Sequence, residues 1–139
     1  MIIADTGFWL ALANRADRHH AAALRALEGS HEGLVTTWPV LTETCHLLLA
    51  RLGVQAELTF LHGLRDGSCT LFALGETHLL RIEALMEQYA ELPMDLADAS
   101  LVVLAEELGD GRILSTDQRD FRAYRWKNRK PFRNLLLGN

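Results

Sequence analysis

Four acidic residues are placed so that each follows a predicted strand or begins a predicted helix; they are Asp5, Glu43, Asp98 and Asp117. In a parallel sheet, the carboxyl ends of the strands and the starts of the following helices share one edge, so these carboxylates are expected to converge. Converging like charges repel one another, and a pair of divalent cations would relieve that repulsion. Because ligands made only of oxygen suit Mg²⁺ or Mn²⁺ and not zinc, the spacing predicts an acidic site for one of these two metals.

Each acid also has a simpler explanation. Asp5, Asp95 and Asp117 occupy positions from which a side chain can cap the first turn of a helix. Asp95 followed by Asp98 resembles a capping box, and Glu43 interrupts an apolar helical stripe from whose edge it can reach solvent. Capping does not require the carboxylates to meet, so the two interpretations differ in whether the acids share a site.

The elements that must position these acids are predicted from apolar runs and from capping, proline and glycine residues. Buried strands are expected over residues 1–4, 33–36, 69–74 and 112–115, with a brief edge strand over 124–126. Helices are expected over residues 8–12, 18–27, 38–52, 55–64, 77–89 and 95–108, with a turn or short helix over 116–121. Strands that alternate with helices predict a three-layer α/β fold with a mainly parallel sheet, built as one domain over residues 1–139.

The composition narrows the class of protein. Apolar residues make up 49% and charged residues 23% of the chain, which is typical of globular domains and excludes a disordered chain. No apolar run approaches the roughly 18 residues of a membrane span, so no membrane association is expected. Cys45 and Cys69 lack a metal-binding spacing and the histidines are scattered, which favours reduced thiols in a cytoplasmic protein and argues against a histidine metal site.

Four motifs, taken in order, resemble the PIN domain family and, within it, the small toxin nucleases of the VapC type. They are Ile2-Ile3-Ala4-Asp5-Thr6, Glu43 after Trp38-Pro39, Asp95-Leu96-Ala97-Asp98-Ala99, and the segment 114–121 that contains Ser115-Thr116-Asp117. The resemblance covers essentially the whole chain and implies a five-stranded parallel sheet of order 3-2-1-4-5. It also implies hydrolysis of RNA phosphodiesters with Mg²⁺ or Mn²⁺, which activates water as the nucleophile near neutral pH.

The resemblance assigns roles to individual residues. Asp5, Glu43 and Asp98 match the three most characteristic acids of such domains, which act in catalysis and as metal ligands, and Asp117 matches the fourth, more variable one. The supporting positions are Thr6, Asp95, Thr116 and Asp120. Among these, the two threonines match positions where a hydroxyl often supports the site, and Asp120 competes with Asp117 for the role of fourth acid.

Similarity to VapC-like toxins also implies partners. Such toxins usually pair with an antitoxin that docks on the domain and obstructs the acidic site. The resemblance further suggests a homodimer, for which the apolar helices around residues 47–49 and 58–61 offer a surface.

Half of the basic residues lie in one C-terminal stretch from Arg119 to Arg133, and four aromatic residues alternate with them. Such a stretch can hold RNA phosphates and stack exposed bases. The candidate phosphate contacts are Arg125, Lys127, Arg129 and Lys130. The alternative is a solvated edge strand and tail whose aromatic side chains pack inward.

Two other functions compete with an endoribonuclease. A catalytically inactive PIN-like module that binds RNA or a protein partner would be expected to have lost some of the four acids, and this chain keeps all of them. A phosphatase resembling the haloacid dehalogenases also places an aspartate after the first strand. It would need a second aspartate two residues later, where this chain has Gly7. The sequence therefore favours a metal-dependent endoribonuclease that acts as the toxin of a toxin–antitoxin pair.

Overall fold

The computed structural model describes residues 1–138, so Asn139, the last residue of the predicted domain, lies outside the described residues. Within the described part, the chain forms seven strands: β1 (Ile2–Ala4), β2 (Leu34–Thr36), β3 (Thr70–Leu71), β4 (Arg112–Leu114), β5 (Arg125–Trp126), β6 (Lys130–Pro131) and β7 (Arg133–Asn134). Five of them build one parallel sheet in the order β3-β2-β1-β4-β7, while β5 and β6 pair as a separate antiparallel hairpin. The predicted α/β fold with a five-stranded parallel sheet is confirmed, with β7 in the fifth position of the implied order.

The strands are connected by seven α-helices in the described residues: α1 (Thr6–Ala13), α2 (His20–Gly29), α3 (Trp38–Leu52), α4 (Val54–Arg65), α5 (Leu79–Gln88), α6 (Leu96–Leu108) and α7 (Gln118–Ala123). The bounds of α3 follow local signals, because Pro39 is tolerated in its first turn and Gly53 ends it with a φ of 99° that favours glycine. None of the helices in residues 1–138 is long and apolar enough to cross a lipid bilayer.

The strand β1 lies at the centre of the sheet, paired with β2 on one side and with β4 on the other. Its residues are at most 5% exposed, as a continuous apolar run predicts for a strand covered on both faces. In the pairing with β4, Ala4 lies opposite Leu114. The residues that follow these two, Asp5 and Ser115, therefore leave the sheet side by side.

The helix α6 is buried on nearly all sides, because every residue from Ala97 to Ala105 except Asp98 is buried. It packs against α3, α5, β1 and β5. A buried pair of hydroxyls also connects it to the residue before α3, with Thr37 Oγ1 and Ser100 Oγ 2.6 Å apart. This contact holds together the starts of α3 and α6, the two helices that carry Glu43 and Asp98.

The predicted edge strand over residues 124–126 is wrong as a strand of the main sheet. β5 instead pairs with β6 across a three-residue connection over residues 127–129, in which the φ angles of Lys127 and Asn128, 50° and 60°, lie in the left-handed region. The fifth strand of the sheet is β7, which pairs in parallel with β4. Lys-Asn is a weaker hairpin signal than Asn-Gly, and the edge position of β7 depends on pairing that is distant in sequence.

The strand β3 and the helix α2 are among the elements that differ from their predicted bounds. The strand β3 spans only Thr70–Leu71, because it lies at the edge of the sheet and pairs with β2 alone. The helix α2 begins at His20, two residues later than predicted. The Asp17 carboxylate accepts the backbone N–H of His19 at 2.8 Å in the preceding turn and so does not cap a helix at residue 18.

Charge-assisted hydrogen bonds around Glu106 of α6 hold the hairpin in place. Arg81 donates to the two carboxylate oxygens of Glu106 at 2.9 and 2.8 Å and also to Asn128 Oδ1 at 3.0 Å. The backbone N–H of Lys127 donates to Glu106 Oε2 at 2.6 Å. These hydrogen bonds attach the turn of the hairpin both to α5, through Arg81, and to α6, through Glu106.

Candidate active site

Asp5 lies at the carboxyl end of β1 and caps α1, and its side chain is only 7% exposed. The backbone N–H of Thr6 donates to Asp5 Oδ1 at 2.8 Å, and the Ser115 hydroxyl donates to Asp5 Oδ2 at 2.8 Å. The first bond is local to the start of α1, whereas the second follows from the alignment of β1 with β4, which brings Ser115 beside Asp5. The capping interpretation of Asp5 therefore holds locally, yet its second oxygen connects to a different strand.

Burial raises the pKa of Asp5 to about 6, because the charged carboxylate is removed from water. The hydrogen bonds from Ser115 and Thr6 favour the charged form and oppose this shift. The negative charges of Glu43 and Asp117 raise the pKa further. Asp5 therefore lies within electrostatic reach of two other predicted acids, one in α3 and one that caps α7.

Asp98 occupies the first turn of α6, where Asp95 is the cap and accepts the backbone N–H of Asp98 at 2.8 Å. The capping role proposed for Asp95 is confirmed, but the side chain of Asp98 does something else. It accepts a hydrogen bond from the Tyr124 hydroxyl at 3.1 Å. Burial, followed by the charges of Asp95 and Asp5, raises the pKa of Asp98 well above its usual range.

Asp117 caps the short helix α7 and accepts the backbone N–H of Asp120 at 3.1 Å. Its own N–H donates to the oxygen of Ser115, the same hydroxyl that donates to Asp5. Burial and then the neighbouring Asp120 raise the pKa of Asp117. Asp120 itself forms an ion pair with Arg119 at 3.2 Å. Of the two candidates for the fourth acid, Asp117 acts electrostatically on Asp5, while Asp120 is paired with Arg119.

The two supporting threonines have different surroundings. A methyl group added at Gly7 would come within 1.8 Å of Thr116 Oγ1, so only glycine lets this hydroxyl approach the start of α1. Thr6 is 5% exposed, and within residues 1–138 its hydroxyl is a buried polar atom without a hydrogen-bond partner. Buried hydroxyls are normally satisfied, so the unpaired Thr6 hydroxyl beside Asp5 indicates a place where a further polar group belongs.

The residues fit a divalent cation in chemistry but not yet in geometry. Within the described residues, no three histidine, cysteine, aspartate or glutamate side chains are close enough to hold a metal ion together. Asp5 accepts a hydrogen bond from Ser115, and Asp98 accepts one from Tyr124. The donor atoms are all oxygens, and Asp5 lies within electrostatic reach of the other three acids, which suits a hard divalent cation.

Two residues that contact the acids were not singled out from the sequence. Ser115 could have been found, because it follows β4 in register with the residue after β1. Tyr124 gave no such signal, since it lies 26 residues beyond Asp98 and reaches it only through tertiary packing. Its ring is fully buried and contacts the rings of Tyr89 and Phe121 edge to face.

Replacing Tyr124 by Phe is expected to weaken Mn²⁺ binding about tenfold, as removal of a group that orients a metal ligand does. The ring contacts of Tyr124 remain, so the unfolding free energy should fall by only about 1 kcal/mol for the lost hydrogen bond. Calorimetric titration with Mn²⁺ alongside thermal melts separates the two effects. Unchanged Mn²⁺ affinity would show that the hydroxyl does not orient Asp98.

The basic C-terminal stretch divides into buried aromatic and exposed basic side chains. The aromatic residues that alternate with the basic ones are all at most 7% exposed: Phe121, Tyr124, Trp126 and Phe132. The prediction that they stack RNA bases is therefore wrong, and the alternative that they pack inward is confirmed. Lys127 and Arg129 are exposed, while the Lys127 and Lys130 ammonium groups lie 5.8 and 4.9 Å from the centre of the Trp126 ring.

Arg125 differs from the other three candidate phosphate contacts. Its Nη1 donates to the backbone carbonyls of Arg122 and Tyr124 at 2.6 and 2.9 Å, which closes the C-terminal end of α7. The turn of the hairpin is attached at Glu106, eight residues after Asp98 in α6, or about 12 Å along the helix axis. The turn of the hairpin therefore contacts α6 at a distance from Asp98.

The order of the parallel sheet and the acidic side chains at its carboxyl edge place this chain in the class of α/β domains with an acidic site. A sequence model of the family described as the PIN domain matches residues 2–127. The chain belongs to the PIN domain family.

Individual known proteins agree with this family assignment. The chain is 33% identical over 124 residues to Ribonuclease VapC26 of Mycobacterium tuberculosis, which covers 89% of this chain and 92% of the relative. Among solved structures, it resembles the crystal structure of Mycobacterium tuberculosis VapC20, described as a Sarcin-Ricin loop cleaving toxin. The TM-score is 0.78 at 22% identity, covering 86% of this chain and 92% of the other. The second similarity concerns the fold alone.

Proposed function

We propose that this protein is a divalent-metal-dependent endoribonuclease and the toxin of a toxin–antitoxin pair. One observation carries the proposal. At the carboxyl edge of a PIN domain sheet, the buried Asp5 is influenced by the charges of Glu43 and Asp117 and itself influences Asp98. Similarity to a protein named Ribonuclease VapC26 supports RNA as the substrate, and the resemblance to VapC-type toxins supports an antitoxin as the partner. We propose that residues 1–139 form one nuclease domain.

Asp5, Glu43, Asp98 and Asp117 would hold Mg²⁺ or Mn²⁺ in this proposal. When bound, the cation supplies an activated water near neutral pH and stabilises the charge that develops on the phosphate and the leaving oxygen. The protein residues hold the acids in position. Ser115 donates to Asp5 and accepts from the backbone of Asp117, so one hydroxyl connects the ends of β1 and β4. Tyr124, which follows α7, donates its hydroxyl to Asp98 and keeps that carboxylate oriented.

The proposed activity is tested with chelator-treated protein and a structured RNA. Cleavage should be absent in chelator and return when Mg²⁺ or Mn²⁺ is added, and titrating the two ions separately identifies the preferred one. Cleavage that continues in excess chelator would contradict the metal-dependent mechanism. Retained RNA binding without cleavage under any metal would instead favour the catalytically inactive module.

We further propose that the hairpin and its flanks bind RNA phosphates. The slope of log binding constant against log salt concentration should become less steep by about 2 when Lys127, Arg129 and Lys130 are changed to Gln. Each phosphate contact to a single strand contributes about 0.7 to this slope. Adding the change Arg125→Gln tests whether that side chain contributes, since its Nη1 already binds two carbonyls. The measurement is RNA affinity as a function of salt concentration.

A matched control replaces three exposed arginines elsewhere with Gln; they are Arg15, Arg25 and Arg65. This control removes the same net charge, so a slope that falls equally in both variants would indicate a general charge effect. An unchanged slope in the hairpin variant would leave the stretch with a structural role only.

Other aspects of the function stay predictions. A homodimer is supported by exposed apolar side chains at the junction of α3 and α4, where Leu49, Leu52, Val54 and Leu58 are each at least 40% exposed. A cytoplasmic location is supported by the RNA substrate and by the free thiols of both cysteines. Sedimentation of the purified protein would test the dimer.

A further inference from the structure

A groove lies between the starts of α3 and α6, directly beside the acids. Its volume is about 640 Å³, and its walls include Trp38, Glu43 and His46 from α3, Leu74 from the loop after β3, and Asp95 and Leu96 at the start of α6. Glu43 both lines this groove and acts electrostatically on Asp5. Glu43 is therefore shared by the groove and the predicted metal-binding acids.

An exposed indole ring forms one wall of this groove. Trp38 is 55% exposed, whereas Trp9 and Trp126 are each 7% exposed. Leu96 on the opposite wall is 47% exposed. Large apolar side chains are normally buried, so an exposed tryptophan and leucine that face one groove beside an active site indicate a surface that a ligand covers.

The charge of the groove restricts what can cover it. Glu43 and Asp95 line it, so an anionic group such as a phosphate is repelled, while an uncharged planar group can contact the indole without that penalty. An RNA chain presents such groups, because each nucleotide beside a cleaved phosphodiester carries a flat, uncharged base. Single-stranded bases stack on aromatic side chains whatever their sequence.

We infer that this groove binds an unpaired nucleobase of the RNA next to the phosphodiester that is cleaved, with Trp38 as the stacking surface. The inference rests on the proposed ribonuclease function and adds a base-binding site to it. Leu74 and Leu96 provide the apolar surroundings of the base. The buried aromatic residues of the C-terminal stretch are not available for this role, so Trp38 replaces them as the residue that stacks.

Trp38→Ala and Trp38→Tyr test the inference in steady-state cleavage. Loss of one base stack should raise KM about tenfold in Trp38→Ala. The kcat should stay within about twofold, because Trp38 is not one of the acids. Trp38→Tyr keeps an aromatic surface and should restore most of the KM. An unchanged KM in Trp38→Ala overturns the inference and indicates instead that the side chain of a protein partner occupies the groove.

A second readout needs no cleavage. In chelator, a hexa-adenylate RNA should quench the fluorescence of the parent protein with saturation, since Trp38 is the exposed indole, and should not do so in Trp38→Ala. An abasic hexamer with the same phosphates should quench neither protein. Equal quenching by the abasic hexamer overturns the inference. If the parent protein cleaves no RNA with any metal, the proposed function fails, while quenching by hexa-adenylate still reports on the base site separately.

Discussion

Replacing Asp98 by Asn is expected to lower the rate of RNA cleavage by more than about 100-fold while the fold is preserved. Asn has the shape of Asp, and its amide oxygen can still accept the Tyr124 hydroxyl. The bond from the backbone N–H of residue 98 to Asp95 does not involve the changed side chain. What disappears is the negative charge that attracts a divalent cation. Single-turnover cleavage rates in Mg²⁺ and in Mn²⁺ measure the effect.

The matched control is Asp66→Asn. Asp66 is an exposed residue at the end of α4 that pairs with Arg65 at 3.5 Å, so the control also removes one carboxylate and one unit of charge. Its cleavage rate should stay within about twofold of the parent rate. If Asp98→Asn cleaves RNA as fast as the parent, Asp98 does not belong to the reacting site.

Replacing Asp5 by Asn is expected to leave the metal-free protein as stable as the parent or more stable, and to abolish most of its stabilisation by metal. Asn can accept the N–H of Thr6, and its NH₂ group can donate to Ser115, whose oxygen has room for a second donor. The variant therefore keeps the local hydrogen bonds but loses a buried charge that lies near other negative charges. Thermal melts in chelator and with added metal measure both effects.

The pH dependence of the metal-free melts has a defined sign. The folded-state pKa of Asp5 is raised from 3.8 to about 6, so between these values the folded protein binds more protons than the unfolded chain. Stability contributed by this group is therefore lost as the pH rises through that window. Relative to the parent, Asp5→Asn should gain stability from about pH 4 to pH 7 and keep a constant advantage above it. A difference that does not vary with pH would contradict the burial of a titrating Asp5.

The melts with added metal test the binding of the cation directly. A cation at about 100 times its Kd stabilises a folded protein by about 2.7 kcal/mol, which for a chain of this length raises the melting temperature by about 8 °C. The parent should show this shift and Asp5→Asn only a small part of it. If Asp5 is merely a helix cap, Asn replaces it equally well and both proteins respond to metal alike. Equal responses would therefore exclude Asp5 as a metal ligand.

Several features of the fold could be predicted because their signals are local in the sequence. The apolar run before Asp5 has the length and composition of a buried strand, and Pro39 and Gly53 mark the start and the end of α3. Asp95 caps α6 as its position indicated. The family resemblance then assigned the four acids, whose roles in metal binding and catalysis remain predictions.

Other features depended on contacts between distant residues. Arg125–Trp126 has the composition of a strand, but its partner is set by the turn at residues 127–128 and by the attachment to Glu106 of α6. The alternation of aromatic and basic residues in the tail was compatible with two opposite orientations, and only packing placed the rings inward. Exposure of Trp38 could not be read from sequence either, since a tryptophan in the first turn of an apolar helix is equally suited to the core.

The sequence by itself determined which residues can bear charge at the carboxyl edge of the sheet, because strand ends and helix starts are encoded by neighbouring residues. Only the tertiary structure decided how those charges are held. Ser115 bonds to Asp5 across 110 residues and Tyr124 bonds to Asp98 across 26 residues. The physical reason is that a hydrogen bond between such partners depends on the register of two strands and the packing of helices. Neither the strand register nor the helix packing can be inferred from the residues next to each partner in the chain.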